Sequence, residues 1–247
     1  ENKRILSTVI GVGYSDPVVQ RFEEAFHDYP FCLLNDTACF AYAEYVFANI
    51  TEPNFAYINV SKGVGACLFA NGKMLRGAGG NATQFGHFSV DRNGPLCACG
   101  NHGCVERVVG ENALTERAEA CGIDLTRFAG RKPLYCDIGA MAEDGDAHAK
   151  ELIKDLAVDL SFAISNLITL FNPSLVVIGG MGVNLGPFFL SNIRDEVQNS
   201  GFKEFVSNTW IQYSTLGLDS ELGGAARYYI DHYYDFFEQM QGGLYAD

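Results

Sequence analysis

One stretch of this chain constrains its fold more than any other. Residues 86–106 read GHFSVDRNGPLCACGNHGCVE and hold one histidine and three cysteines, His87, Cys97, Cys99 and Cys104. Nine residues separate His87 from Cys97, one separates Cys97 from Cys99, and four separate Cys99 from Cys104. Four such ligands within 18 residues suit one tetrahedral zinc of the Cys3His type. Gly94, Pro95, Gly100 and Gly103 lie between them, where the chain must turn sharply to gather its ligands. Two other readings stay open. Free cysteines are often simply buried, and a histidine can be satisfied in a core. A disulfide cluster is the other rival, although Cys97 and Cys99 are too close to pair comfortably with each other and no secretory signal is visible. Carboxylate, amide and imidazole groups share the segment, so a metal knuckle bracing a ligand site is the expectation.

Composition bounds the rest. The chain has 247 residues, 48% of them hydrophobic, enough for one large or two modest cores. No run of apolar residues is long enough to span a membrane. Cys32, Cys39, Cys67, Cys121 and Cys136 are scattered without paired spacing, which points to a reducing cytoplasm. The formal net charge of -13 repels a phosphate backbone, so the chain by itself is a poor nucleic-acid binder. Trp210 and the Phe/Tyr-rich tail suit a core or an interface better than a stacking platform. The first residue is Glu1, so the chain is expected to begin inside a longer protein.

Along the chain, 5–10 reads as a buried strand running into the turn 11–13, and 18–29 has helical spacing. A short strand is expected at 31–34. Asn35-Asp36-Thr37 then caps a helix running to about residue 49. Strands are expected at 55–60 and 66–70 around Ser61-Lys62-Gly63-Val64-Gly65, with Asn71-Gly72 as a tight hairpin turn. Mixed helix follows the knuckle to residue 145. The stretch 146–171 has the period of a long amphipathic helix, ended by Asn172-Pro173. A buried strand at 175–178 enters Gly179-Gly180-Met181-Gly182. Helix is expected at 187–199, strand at 209–213 and a terminal helix at 223–240. Strands alternating with helices favour an α/β fold.

Two glycine turns, Gly63-Val64-Gly65 and Gly179-Gly180-Met181-Gly182, follow strands. Such turns can aim backbone N–H groups at a phosphate, but an ordinary tight turn explains each equally well. Asp36 at a helix start is first of all a cap; ligand binding or catalysis is the sharper alternative.

Several pieces together resemble one family. CACGNHGCVE is similar to the CxCGxxGCxE signature of the ROK family of sugar-responsive repressors and sugar kinases. Asn35-Asp36 followed by small residues and Glu44 resembles its Asn-Asp-Ala helix. Residues 82–87 resemble its Ala-Gly-Glu-Ile-Gly-His box, 172–180 its Asn-Pro-strand-Gly-Gly segment, and 218–226 its closing Gly-Ala-Ala helix. The likeness runs through nearly the whole chain in the family's order.

The resemblance implies an actin-like (ASKHA, ribonuclease-H-like) two-domain α/β fold with a zinc knuckle and a sugar in the cleft. It places 1–50 and the C-terminal helix 223–240 in one domain and 51–222 in a larger one. It implies sugar contacts from Asn35, Asp36, Gln84, His87 and Glu106, with His87 also a zinc ligand beside Cys97, Cys99 and Cys104. In kinase members the aspartate of the Asn-Asp pair is the catalytic base. If this chain is a kinase, ATP and Mg are needed, Asp36 is catalytic, and Gly63, Gly65, Gly179 and Gly180 hold the nucleotide phosphates.

Three departures from the family pattern matter, and the two in the phosphate turns favour a regulator. No Asp-x-Gly-x-Thr phosphate loop is found on the first strand. The second phosphate turn, Gly-Thr-Gly in kinases, is Ser61-Lys62-Gly63 here. The glutamate of the box is Gln84, which removes a charge that would hold a hydroxyl more strongly. The interval between Gly13 and Asn35 is also shorter than the family norm. The expectation is therefore the effector domain of a cytoplasmic repressor, binding a small-molecule sugar or sugar phosphate. It would act as a homodimer or homotetramer, with no membrane association, and reach DNA only through a segment upstream of Glu1. An ATP-dependent sugar kinase is the alternative.

Overall fold

The computed structural model describes residues 16–27, 32–78 and 82–234. The expected strand 5–10 and turn 11–13 lie outside them, as do residues 28–29 and 235–240 of the expected helices. The chain divides into two units. One holds the described residues up to Ile50 and those from Asp219 onward; the other is Thr51–Leu218.

The larger unit is built on a five-stranded sheet: β1 (Phe55–Val60), β2 (Val64–Ala70), β3 (Lys73–Met74), β4 (Leu175–Gly179) and β5 (Trp210–Tyr213), in the order β3-β2-β1-β4-β5. β1 pairs antiparallel with β2 and parallel with β4, and β4 pairs parallel with β5. All six residues of β1 and all five of β4 are buried. That is why these segments read as continuous apolar runs rather than alternating ones: a central strand covered on both faces has no solvent side. The β2–β3 turn is Asn71-Gly72 with φ of 52° and 73°, the left-handed pair that a two-residue hairpin needs.

Among the described residues six helices complete this unit: α3 (Val105–Val109), α4 (Glu111–Ala120), α5 (Tyr135–Glu143), α6 (Ala147–Phe171), α7 (Gly186–Asn199) and α8 (Lys203–Val206), with 3-10 turns at Phe85–His87, Leu125–Phe128 and Met181–Leu185. α6 is the spine. Asp146 caps it by accepting the His148 and Ala149 N–H groups at 3.0 and 3.1 Å. Its Leu152, Ile153, Leu156, Leu160, Ile164 and Ile168 are fully buried, in one cluster with Ala56, Ile58, Val60, Val176 and Ile178 of the sheet. Asn172 ends it in the left-handed conformation, φ 49°, and Pro173 prevents continuation.

The smaller unit contains α1 (Val18–Ala25), α2 (Asp36–Phe47) and α9 (Ser220–Tyr233). α2 and α9 pack together through small residues. A Cβ on Gly224 would run into the Cys39 carbonyl, so only glycine lets the two backbones approach this closely.

Several expectations shift. α1 ends at Ala25, short of the expected 29, and the described residues 32–34 form no strand. A four-residue apolar run becomes a strand only by pairing, and among the described residues none pairs with 32–34. β2 begins at Val64 instead of 66, because pairing of Val64 with Val60 and of Gly65 with Asn59 carries the ladder up to the turn. α9 starts at Ser220 rather than 223. The short helix α8 was not anticipated. Among the described residues no helix is long and apolar enough to cross a membrane.

Candidate metal centre and sugar site

Tight turns gather the four knuckle ligands. The Cys97 N–H donates to Asn101 O at 2.8 Å and the Gly100 N–H to Cys97 O at 2.9 Å, which folds Cys97–Gly100 back on itself. Gly100 and Gly103 carry φ of 90° and 59°. A side chain at Gly103 would also collide with the Asp91 backbone, so the turn demands glycine on both counts. The Val90 N–H donates to Gly103 O and the Gly103 N–H to Pro95 O, each at 2.9 Å, drawing the two arms together.

The ligand atoms of His87, Cys97, Cys99 and Cys104 all lie within 4.8 Å of one another. Cys97 Sγ stands 3.5 Å from His87 Nδ1, and Cys99 Sγ 3.6 Å from Cys104 Sγ. A tetrahedral zinc with bonds of about 2.3 Å to sulfur has ligand–ligand edges of about 3.7 Å, so the set fits that ion. The same 3.6 Å is far from a sulfur–sulfur bond of about 2.05 Å, and all eight cysteines are free of disulfides. Cys97 and Cys104 are buried, His87 is half-buried and Cys99 is exposed. Burial, with the neighbouring thiols, pushes the Cys104 thiol up to about 12. The Asn101 N–H holds the Cys99 thiol below its ordinary value. A divalent cation would take such thiols as thiolates and release their protons.

His87 turns Nδ1 toward Cys97, which leaves Nε2 as the ring nitrogen away from it. His87 closes the Phe85–His87 turn, and Gln84, exposed, stands just before that turn. Glu106 lies in the first turn of α3, where its Oε2 accepts the Val64 N–H at 3.4 Å. Gly86 sits so close to the Val64 carbonyl that a Cβ there would strike it. The larger unit thus brings the β1–β2 turn, Gly86-His87 and Glu106 into one neighbourhood.

Asn35 and Asp36 belong to the smaller unit and are exposed at the start of α2. Asn35 Oδ1 accepts the Ala38 N–H at 2.6 Å as the helix cap. Asp36 Oδ1 accepts the Thr37 N–H at 2.7 Å. Capping uses one oxygen of each side chain and leaves the Asn35 amide nitrogen and the second Asp36 oxygen for other partners.

The glycine turns have packing reasons of their own. A Cβ on Gly179 would strike the Tyr57 hydroxyl, and one on Gly180 would strike Asn59 Oδ1 and Ser61 Oγ. Ser61 is a hub that sequence reasoning missed. Its Oγ donates to Asn59 Oδ1 and accepts the Met181 N–H, both at 3.1 Å, tying the end of β1 to the segment after β4. The available signal was Asn59, a buried polar residue within an otherwise apolar strand.

The family model described as "ROK family" matches residues 3–231. The chain is 28% identical over 210 residues to the xylose repressor of Bacillus subtilis, covering 85% of this chain and 53% of that protein. It is 30% identical over 216 residues to the DNA-binding transcriptional dual regulator NagC of Escherichia coli, covering 85% and 52%. The chain spans about half the length of these curated relatives. It is also similar to the crystal structure of a ROK family glucokinase from Streptomyces griseus in complex with glucose and AMPPNP. There the TM-score is 0.77 at 25% identity, covering 92% of this chain and 77% of that one. With its mixed α/β sheet, its Cys/His cluster and this match, the chain belongs to the ROK family and has the family's actin-like fold.

Proposed function

We propose that this chain is the sugar-binding effector domain of a ROK-family transcriptional regulator. In this reading Asn35, Asp36, Gln84, His87 and Glu106 take sugar hydroxyls, and one structural zinc is held by His87, Cys97, Cys99 and Cys104. Four protein ligands leave the metal no open position for an activated water, so its role is to brace the loop that carries His87 and leads into Glu106. The protein works in the cytoplasm as a homodimer or homotetramer, and in its full-length form sugar binding biases affinity for an operator.

One observation carries the regulator over the kinase. A phosphate-binding turn needs main-chain N–H groups free to point at the phosphate. Here the Met181 N–H is taken by Ser61 Oγ and the Val64 N–H by the Glu106 carboxylate. Similarity to a xylose repressor and to the transcriptional regulator NagC supports the same reading, and the name of the first suggests a pentose as ligand. The kinase reading draws on Asp36 at the position of the family's base and on the likeness to a glucokinase.

A coupled ADP-release assay on the full-length protein, with its best-binding sugar from a panel of pentoses, hexoses and amino sugars, separates the two. The expected result is sugar-dependent operator affinity with no ADP release. Turnover on the order of 1–100 per second would instead make Asp36 a catalytic base and place phosphates at Gly63, Gly65, Gly179 and Gly180.

A further inference from the structure

The turn between β1 and β2 is clamped from several sides. The Ser61 N–H donates to Gly63 O at 2.9 Å. Ser61 O accepts from the Glu111 N–H at 3.1 Å and from the Tyr135 hydroxyl at 3.3 Å. Tyr135 is itself buried and shares its single hydroxyl proton between Ser61 O and, more closely, Val109 O at 2.7 Å, so it links the turn to α3. Ser61 Oγ adds the links to Asn59 and Met181. A backbone held at this many points does not shift cheaply.

Against this turn lies the Glu106 carboxylate. A Cβ built on Gly63 would stand 2.5 Å from Glu106 Oε2 and 3.4 Å from its Cδ. Gly63 is not among the residues with positive φ, so alanine could take its backbone conformation without strain. The conflict is therefore wholly with the end of one flexible side chain. Gly86 is the instructive contrast, because a Cβ there would meet the Val64 carbonyl, which is backbone and cannot swing aside.

We propose that Gly63 is a positioning residue: its missing side chain is what allows the Glu106 carboxylate to rest on the β1–β2 turn with Oε2 at the Val64 N–H. The proposal rests on the sugar-site reading for its consequence, since a carboxylate moved by about 1 Å falls outside hydrogen-bonding range of a hydroxyl it was placed to meet. A glycine that family resemblance assigns to phosphate thus serves the sugar side of the site in this chain. Its side-chain-free surface sets where a ligand-binding carboxylate stands.

The test is a double-mutant cycle on the zinc-loaded protein. Calorimetry with xylose, glucose, N-acetylglucosamine and N-acetylmannosamine is run on the native protein, G63A, E106A and G63A/E106A. G63A is expected to fold, to keep its metal and to bind the best sugar about ten-fold more weakly. In the E106A background the same substitution is expected to change nothing, because its effect passes through Glu106. Native affinity in G63A, an equal loss in both backgrounds, or misfolding of G63A would each overturn the proposal. Crystal structures of the native protein and G63A supply a readout that needs no sugar. Oε2 should lie within reach of Val64 N in the first and out of reach in the second, and an unmoved carboxylate would overturn the proposal. If the native protein binds nothing in the panel, the sugar reading falls, and the two structures still decide the role of Gly63.

Discussion

The knuckle and the sheet with α6 belong to the same unit but are held by different physics. Around the sheet, Leu152, Leu156, Leu160 and Ile164 of α6 are completely removed from water, together with Ala56, Ile58 and Val176. In the knuckle, Leu96 is 63% exposed and Phe88 43%, and most residues between them are polar or glycine. The first region needs no ligand, because apolar burial of this kind contributes about 1.5–3 kcal/mol for each large side chain. The second has little to bury and is a set of turns converging on four ligand atoms. With the proposed zinc bound, such a glycine-rich loop would hold a single conformation by concentrating its stabilisation at one point.

Emptying the metal site is the most severe test of this contrast. Structural zinc is worth roughly 10–16 kcal/mol in small zinc-bound peptides. Cys99→Ser should therefore lose the zinc, make the knuckle sensitive to proteolysis, and leave the helical signal of the rest of the unit intact. Metal analysis, limited proteolysis and circular dichroism check it; full zinc occupancy in the variant would refute the four-ligand assignment.

The reciprocal experiment attacks the core. Leu156→Ala should destabilise the protein by about 2–5 kcal/mol through lost burial and a residual cavity, seen as a lowered midpoint in denaturant. Zinc content of the protein that remains folded should stay at one per chain. Loss of zinc in step with loss of folding stability, below the transition, would mean that the two regions are coupled more tightly than their separate chemistries require.

The smallest expected effect concerns a cap at the end of the core's main helix. Asp146 accepts two N–H groups at the start of α6, and the Ala149 N–H in particular holds its carboxyl below the usual carboxylate range. Asp146→Ala should cost about 1 kcal/mol. Because the folded-state pKa is depressed, this contribution is complete above the unfolded value near 3.9 and is lost as the pH falls through the folded value. Asp146→Asn keeps an oxygen acceptor and should retain most of the cap while losing that pH dependence. Equilibrium unfolding of the three proteins between pH 3 and pH 7 would show it, and the knuckle's metal content should not respond.

Much of this was legible in one dimension because the signals are local. The period of 146–171 and the cap at Asn35 require only short-range geometry. The knuckle ligands stand out because soft side chains between glycines have little other reason to cluster. The residues 31–34 show where such reading stops. An apolar run states that it must be buried, not that another strand will pair with it. The early start of β2 is the same lesson, since Val64 and Gly65 are strand only because Val60 and Asn59 stand opposite them.

The longer helices, the central strands and the membership of the Cys/His cluster can be read along the chain, because each depends on residue type and spacing. What the glycines face emerges only when the chain is folded. Gly63 and Gly86 look alike in sequence, yet one faces a mobile carboxylate from 106 and the other a backbone carbonyl at 64. The Ser61 hub, which joins residues 59, 111, 135 and 181, is likewise invisible until the chain is folded. Close approach between distant segments leaves no periodic mark on a sequence. It depends on which atoms the packing of the whole unit places within a few ångströms of one another.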